Sequence, residues 1–267
     1  MKNKRPILLF ATAMAIAVMS MFFAADELHA AEPARIEVGN ANDLFDAIDS
    51  RFPVISLTEN ITYTSPVVIN AYAVTFELNG YTLDIVVEIG TAMAVENGSE
   101  VKLDNINGGA LNIKTTSGGN NALAVVGDSY AMVTNLTTDA DEAILAFFNA
   151  TVVVLGDVTA VRTGMAVGDY SSVTIHGRLT AKGINDITLM GSRHSVVDIR
   201  NKGDHDYIED GFYVYTDGIN TVRVAQHIDV PKTGIKNITV AMWVMFAFFG
   251  ISPALWFFAL RRTKKSV

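Results

Sequence analysis

Between Phe76 and Val224 the chain repeats one short alternating pattern of apolar and polar positions. Each repeat has an apolar residue, any residue, a second apolar residue, any residue, and then Asn, Asp or Gly. Successive side chains of a strand face opposite sides, and Asn, Asp and Gly tolerate the backbone of turns, so the pattern predicts short strands that end in turns. The repeats are FELNG from Phe76, VKLDN from Val101, AMVTN from Ala131, VVLGD from Val153, VTIHG from Val173, VDIRN from Val197 and, in part, VRVAQ from Val222.

A second series of apolar segments alternates with the first, and YTLDI, ALNIK, VTAV and RLTAK indicate a third strand in each turn. Ladders that repeat in phase every 20 to 30 residues predict a solenoid, and the segments are too short and too β-branched for helical repeats. The second series is MAV from Met93, LAV from Leu123, ILA from Ile144, MAV from Met165, ITL from Ile187 and FYV from Phe212.

The predicted fold class is therefore all-β, with a right-handed parallel β-helix over residues 53–226. This pattern resembles the pectate-lyase-like folds. An antiparallel β-sandwich is the alternative, although its hairpins do not need ladders in phase.

Residues 31–52 are predicted to cap the start of the solenoid. In NANDLFDAIDSRF, Asn42 is placed to cap a short helix whose apolar face consists of Leu44, Phe45, Ala47 and Ile48. A cap is expected because an open solenoid end exposes strand edges and core side chains.

The two ends of the chain carry targeting features. Residues 1–30 have basic residues, then an apolar run and small residues, which is the layout of a signal peptide; an uncleaved membrane anchor is the alternative. Residues 235–267 contain an uncharged apolar run from Ile238 to Leu260, long enough to span a bilayer as a helix. Basic residues stay on the cytoplasmic side, so the preceding domain is expected outside. The basic stop is Arg261, Arg262, Lys264 and Lys265.

The pentapeptide VPKTG stands directly before this apolar run, within the segment 227–234. The order of pentapeptide, apolar helix and basic end resembles the C-terminal sorting signal of sortase substrates on Gram-positive bacteria, whose motif reads L-P-x-T-G. The resemblance implies that a sortase cuts between Thr233 and Gly234 and joins Thr233 to peptidoglycan. Pro231 favours an extended backbone that an enzyme groove can hold. The motif residues are Val230, Pro231, Lys232, Thr233 and Gly234.

The composition and charge of the chain limit the kinds of partner that it is expected to bind. The chain has no cysteine, so an exported domain must rely on packing without disulfides. The span 31–233 has 12 Lys plus Arg and 26 Asp plus Glu, a formal charge of 12 minus 26, or −14. Such a surface repels phosphate backbones, which excludes nucleic acid as an expected partner.

The densest set of polar candidates lies in NKGDHDYIEDGFYVY. Oxygen ligands suit Ca²⁺ and aromatic faces stack on sugars, so the segment is a candidate calcium or glycan site. Phe212 and Val214 are expected to face inward, with both tyrosines outward. The alternative is a solvated acidic turn beside ordinary strand tyrosines. The candidate residues are Asp204, His205, Asp206, Glu209, Asp210, Tyr213 and Tyr215.

The remaining candidate site residues give weaker indications of a metal or catalytic site. His176, His194 and Asp198 lie near neighbouring turns as a candidate metal or acid/base cluster, although a strand histidine is more often structural. Phe147 faces the core or solvent, depending on the register of its strand. No nucleophile elbow, phosphate loop or zinc signature occurs in the sequence.

Two functions follow as hypotheses. The first is a non-catalytic, wall-anchored surface protein that acts in adhesion, glycan binding or surface assembly, without a required cofactor. Its expected partners are sortase, peptidoglycan, and an extracellular glycan or surface protein. The second is a wall-anchored polysaccharide lyase or glycoside hydrolase. Both place the domain outside the cell, either on the wall or tethered to the plasma membrane.

Overall fold

The computed structural model of the protein describes residues 33–116, 121–139, 142–182, 186–191, 197–201 and 203–226. The predicted signal peptide, the VPKTG motif and the apolar C-terminal run with its basic stop lie outside these residues. Where the chain is described, none of its helical structure is both long and apolar enough to cross a bilayer.

The described residues form one helix, α1 (Ala41–Asp49), and 23 short strands. The strands are β1 (Arg35–Val38), β2 (Val54–Leu57), β3 (Ile61–Tyr63), β4 (Val67–Asn70), β5 (Ala73–Glu77), β6 (Thr82–Val87), β7 (Met93–Glu96), β8 (Glu100–Asp104), β9 (Ala110–Thr115), β10 (Leu123–Val126), β11 (Tyr130–Val133), β12 (Asn135–Thr138), β13 (Glu142–Phe147), β14 (Thr151–Val154), β15 (Val158–Ala160), β16 (Thr163–Gly168), β17 (Ser172–Ile175), β18 (Leu179–Ala181), β19 (Ile187–Met190), β20 (Val197–Arg200), β21 (Tyr207–Glu209), β22 (Phe212–Thr216) and β23 (Thr221–Ala225).

Successive strands along the chain belong to three different sheets in turn. Sheet 1 has the order β1-β2-β5-β8-β11-β14-β17-β23-β22-β21, sheet 2 has β18-β15-β12-β9-β6-β3, and sheet 3 has β20-β19-β16-β13-β10-β7-β4. Each strand up to β17 pairs in parallel with the equivalent strand of the next coil, as in β5 with β8 and β6 with β9. The predicted three strands per turn are confirmed. Parallel pairing between coils also rules out the hairpins of the alternative β-sandwich in this region.

The core consists of inward-facing columns that run through all the coils. In sheet 1, five residues lie in register and are each at most 1% exposed. Burying one valine side chain contributes roughly 1.5–3 kcal/mol, so the single continuous core is built from many similar contributions. This column is Val101, Ala131, Val152, Val173 and Val222.

The register of β13 is settled by its core contacts. Ile144 and Ala146 face inward and are fully buried. Phe147 lies on the outer side of sheet 3, yet only 6% of it is exposed because its ring lies against Gly168 of the next coil. The following residue, Phe148, is 55% exposed.

Helix α1 packs at the start of the solenoid, as predicted, but its details differ. Asn40 is the N-cap instead of Asn42, since its side-chain oxygen accepts the backbone N–H groups of Asn42 and Asp43, each at 3.0 Å. Leu44 and Ala47 are fully buried, whereas Phe45 is 55% exposed. The prediction that Phe45 belongs to the packed face is therefore wrong; it points away from the Leu44 side of the helix.

The last strands depart from the predicted ladders. Strand β20 pairs antiparallel with β19 in sheet 3, although VDIRN was predicted to continue sheet 1. Strand β22, which contains FYV, lies in sheet 1 between β23 and β21, antiparallel to both. Alternating side chains identify a strand but not its partner or direction, so the pattern does not reveal where coiling gives way to a hairpin.

The corner between sheet 3 and sheet 1 has a repeated backbone geometry. In four successive coils it uses two consecutive residues with positive φ, between 53° and 73°. Backbone hydrogen bonds align these pairs from coil to coil, for example from Asp128 N to Phe148 O at 2.8 Å. The pairs are Asn97 and Gly98, Gly127 and Asp128, Phe148 and Asn149, and Asp169 and Tyr170.

Candidate functional site

The predicted acidic loop forms the hairpin of β21 and β22 and the residues just before it. Asp210 and Gly211 make its two-residue turn with φ values of 49° and 82°. Positive φ at both central positions is the hairpin turn that an Asp-Gly pair favours. Asp210 is therefore placed by the requirements of the turn.

Asp206 joins three parts of this region. Its Oδ2 accepts the backbone N–H of Thr216 at 2.7 Å, and its Oδ1 accepts Arg200 Nη1 at 3.2 Å. Arg200 also binds Asp198, with Nε and Nη2 at 2.8 and 2.7 Å from Oδ2. The hydrogen bond to Asp198 raises the pKa of the Arg200 guanidinium above its ordinary value. The Asp198–Arg200–Asp206 cluster thus ties β20 to β22.

The other loop carboxylates also have partners within the protein. Asp204 Oδ2 accepts the backbone N–H of Asn201 at 3.0 Å, and Glu209 pairs with Arg223 at 3.3 Å. In the described ranges no three His, Cys, Asp or Glu side chains are grouped so that they could hold a metal ion. The hydrogen bonds and ion pairs of these acidic residues hold the hairpin together.

The two tyrosines of β22 face the opposite way from the prediction. Tyr213 and Tyr215 pair with Val224 and Val222 of β23, which belong to the core side of sheet 1. Tyr215 is 1% exposed, and burial raises the pKa of its hydroxyl to about 12. Phe212 and Val214 lie on the other face of β22, opposite to the inward prediction, because β22 pairs antiparallel with β23; Val214 is nevertheless 0% exposed. Tyr215 is therefore unsuited to stack on a ligand.

The histidine candidates do not form a cluster in the described residues. His176 is exposed, and its ring meets the Phe212 ring edge-on at 5.4 Å. Asp198 is engaged by Arg200, and His194 lies outside the described residues. His205 contacts the Tyr213 ring at a centroid distance of 4.7 Å. Histidine therefore packs against aromatic rings at this end of the molecule.

A small cleft lies at the opposite end, between α1 and the first coils. Its volume is about 230 Å³. The cleft combines aromatic side chains with one carboxylate, one guanidinium and one amide. Among its lining residues these are Phe45, Asp49, Arg51, Asn70 and Tyr72.

The aromatic and charged residues of this cleft contact one another. The Arg51 guanidinium lies over the Tyr72 ring at 5.6 Å, and the Tyr72 hydroxyl donates to Ile48 O at 3.4 Å. Burial raises the pKa of Tyr72 despite the nearby Arg51 charge. The lining has one carboxylate, from Asp49, so it does not supply the pair of carboxyl groups that glycoside hydrolysis commonly uses.

This cleft is not evident from the sequence because its residues come from separate elements. Phe45 and Asp49 belong to α1, Arg51 follows it, and Asn70 and Tyr72 flank the end of β4. None of them forms a recognisable motif. The sequence also did not single out Phe148 and Tyr170, two exposed aromatic residues with positive φ. They lie at a corner where the other positive-φ residues are Asn, Asp, Gly and, in the first coil, Ala71.

No protein-family model, curated protein or solved structure matched the chain in comparisons with known proteins.

Proposed function

We propose that this protein is a non-catalytic surface protein, displayed on a Gram-positive cell wall and acting in adhesion, glycan binding or surface assembly. The observation that supports it best is the use of the acidic loop. Its Asp204, Asp206 and Glu209 carboxylates bind groups of the protein itself, so the set richest in potential acids and bases serves to hold a hairpin together.

The proposed anchoring rests on the sequence from VPKTG to the basic stop. A sortase would cleave after Thr233 and join it to peptidoglycan, and the apolar run would hold the motif at the outer membrane face until then. Strand β23 ends at Ala225, close to Val230, so the chain has little room for a stalk. The domain is expected to act within or near the wall.

The proposed fold in full is a right-handed β-helix of the pectate-lyase-like kind. The parallel sheets support this assignment, and right-handed crossovers dominate wherever parallel strands of one sheet are connected. A fold of this kind does not decide the activity, which depends on the side chains it presents.

The anchoring test uses the full chain in a sortase-competent Gram-positive host. The wall is digested with a muralytic enzyme, and the C-terminal peptide of the released protein is identified by mass spectrometry. We expect a peptide that ends at Thr233 and carries a wall fragment. Thr233→Ala should abolish this product, whereas Lys232→Ala, at the variable position of the motif, should leave it.

An intact tail to Val267 in the wild-type protein would overturn the wall-anchored proposal in favour of a membrane tether. The non-catalytic part is tested separately by incubating the released protein with polysaccharides and measuring new reducing ends and unsaturated products. Specific turnover would contradict it and favour the lyase or hydrolase hypothesis.

A further inference from the structure

The outer face of sheet 3 carries two columns of mostly apolar side chains across the coils. One column runs in register from Val68 through Ala94, Ala124, Leu145, Ala166 and Thr188 to Ile199. The second column begins with the polar residues Asn70 and Glu96 and continues through Val126, Phe147, Gly168 and Met190 to Val197. We name the first column, together with the second from Val126 onward, the apolar stripe. Its strands point these side chains away from the core.

Small residues occupy several positions of the stripe. Ala94, Ala124 and Ala166 are 9%, 8% and 1% exposed, and Leu145 lies between Ala124 and Ala166 in the register. Val68 at one end and Ile199 at the other are each 50% exposed. The accessible apolar surface of the stripe is therefore greatest at its two ends.

The dimensions argue for a narrow partner. Seven strands about 4.8 Å apart give a length of roughly 29 Å, and two side chains of one strand face span roughly 7 Å. The resulting area of about 200 Å² is far below the roughly 800 Å² that each partner buries in a standard protein interface. The stripe is thus too small for a stable contact with a second copy of the chain and fits an extended polymer.

Two aromatic residues stand beside the stripe in an unfavourable backbone conformation. Phe148 and Tyr170 have φ values of 59° and 68° and are 55% and 64% exposed. Bulky residues rarely adopt positive φ, whereas the other six residues of these corner pairs are Asn, Asp and Gly, which adopt it more readily. The Phe148 ring contacts the Phe147 ring at a centroid distance of 6.3 Å, but more than half of each corner side chain stays exposed, so burial does not explain why the strain is retained. Strain of this kind is concentrated at functional sites.

The polar groups at the same corner define the class of ligand. Asn149 Nδ2 donates to Asp128 Oδ1 at 2.7 Å, and Asn97 Nδ2 donates to Asn70 Oδ1 at 3.0 Å. Amides and carboxylates beside exposed rings can bind hydroxyl groups, while the acidic side chains repel anions. A peptide could not add to the sheet here, because the backbone groups of these strands are already paired within sheet 3.

We propose that the apolar stripe, with Phe148 and Tyr170 as stacking platforms, binds a linear, uncharged glycan along the solenoid axis. The inference rests on the proposed function, because it names the ligand class of a displayed binding domain. Aromatic rings contact the C–H faces of sugar rings, and the neighbouring amides and carboxylates accept or donate hydrogen bonds to their hydroxyls.

The test compares full-length variants displayed on cells, with the surface amount of each measured by antiserum. The probes are fluorescein-labelled laminarin and dextran, two neutral glucans, and polygalacturonate as an anionic polymer. The variant Phe148→Asn/Tyr170→Asn places at both corners a residue that the same corner already uses. We expect at least a tenfold loss of binding to the neutral probe that the wild type binds, and no wild-type binding of polygalacturonate.

Thermal unfolding of the same variant separates function from stability. Relief of backbone strain should raise the Tm by about 2–4 °C for each corner. Rings that serve only the fold would instead lower the Tm when removed. A higher Tm with lost binding is therefore the signature of residues kept for a ligand.

Tyr81→Asn is the control, because Tyr81 is also an exposed aromatic residue, 37% of it being exposed, but directly precedes β6 of sheet 2. It should leave binding unchanged. The proposal is overturned if neither glucan binds, if the double variant binds as the wild type does, if Tyr81→Asn causes the loss, or if polygalacturonate binds equally well. The proportion of protein released by muralytic digestion reports anchoring independently, so failure of either proposal is recognised by itself.

Discussion

At the scale of single residues, the same residue type serves different purposes according to its place in a coil. Tyr215 is buried in the core although it was predicted to face solvent, whereas Tyr170 is exposed at a corner where its backbone conformation is unfavourable. The side chain alone does not distinguish these cases. The difference comes from the strand register, which decides whether a given position points into the solenoid.

Tyr215 gives a prediction for alkaline pH. Its pKa is about 12 in the folded protein and about 10 in an unfolded chain, so the folded state keeps a proton that the unfolded chain releases. This difference in pKa contributes roughly 2–3 kcal/mol to the free energy of unfolding. The contribution is fully present below pH 10 and is lost as the pH rises to 12. Tyr215→Phe should flatten this part of the pH dependence, measured by urea unfolding from pH 9 to 12.

The exposed tyrosine variant Tyr81→Phe serves as the control for this experiment. The slope for Tyr215→Phe should be shallower than for both the wild type and the control. Equal slopes in all three proteins would show that the buried hydroxyl does not titrate with the expected linkage.

At the scale of elements, the C-terminal hairpin shows how charged residues close a solenoid. Strands β20 to β22 no longer follow the coil, and the Asp198–Arg200–Asp206 cluster holds them together. A hairpin at the end of a stack leaves short edges, which limits pairing with other chains. The acidity of this segment is explained by its structural contacts.

Asp206→Ala should destabilise the protein by about 1–2 kcal/mol. The variant removes a charge-assisted bond to Arg200 and leaves the Thr216 N–H without its carboxylate partner. Asp210→Asn removes one charge from the same loop but retains a residue that tolerates positive φ, so it should be nearly neutral. Urea unfolding measures both, and equal effects would contradict the specific role of Asp206.

At the scale of the whole molecule, stability depends on how closely one coil can approach the next. At the corner that leads from sheet 1 to sheet 2, Gly177 stacks on Gly156, and a Cβ added to Gly177 would lie 2.3 Å from the Gly156 backbone. Since backbone atoms on both coils are fixed by parallel pairing, they cannot readily move apart. Glycine at this place sets the spacing of the stack.

Gly177→Ala should therefore cost about 1–3 kcal/mol, the range expected when an inserted group forces a backbone shift. Gly203→Ala is the control, because a Cβ there meets no atom of the described part of the chain within 4 Å. Thermal unfolding compares the two variants. A Gly177→Ala protein as stable as the control would mean that neighbouring coils can separate at this corner without loss.

Much of the architecture is predictable from the sequence because each strand shows alternating apolar and polar residues and each turn contains Asn, Asp or Gly. FELNG, VKLDN and AMVTN identify three rungs of sheet 1, and MAV, LAV and ILA identify three rungs of sheet 3. The same rules fail at VDIRN and FYV. Both segments form strands as predicted, but VDIRN lies in sheet 3 and FYV lies in sheet 1, the reverse of the prediction. Local alternation is a property of one strand, whereas pairing and direction belong to two.

The sequence by itself determined the all-β repeats, the parallel ladders and the presence of a capping helix, because periodic side chains specify which residues must be buried. It also supplies the whole basis for the proposed wall anchor. Only the tertiary structure decided that Tyr215 is buried and that the carboxylates of the acidic loop bind groups of the protein itself. It also decided that residues from separate coils form an apolar stripe beside Phe148 and Tyr170. Most pairings along the stripe join residues 20 or more positions apart, whereas the acidic loop and Tyr215 depend on antiparallel pairings near the end of the described chain. No local pattern encodes which strand lies next to which.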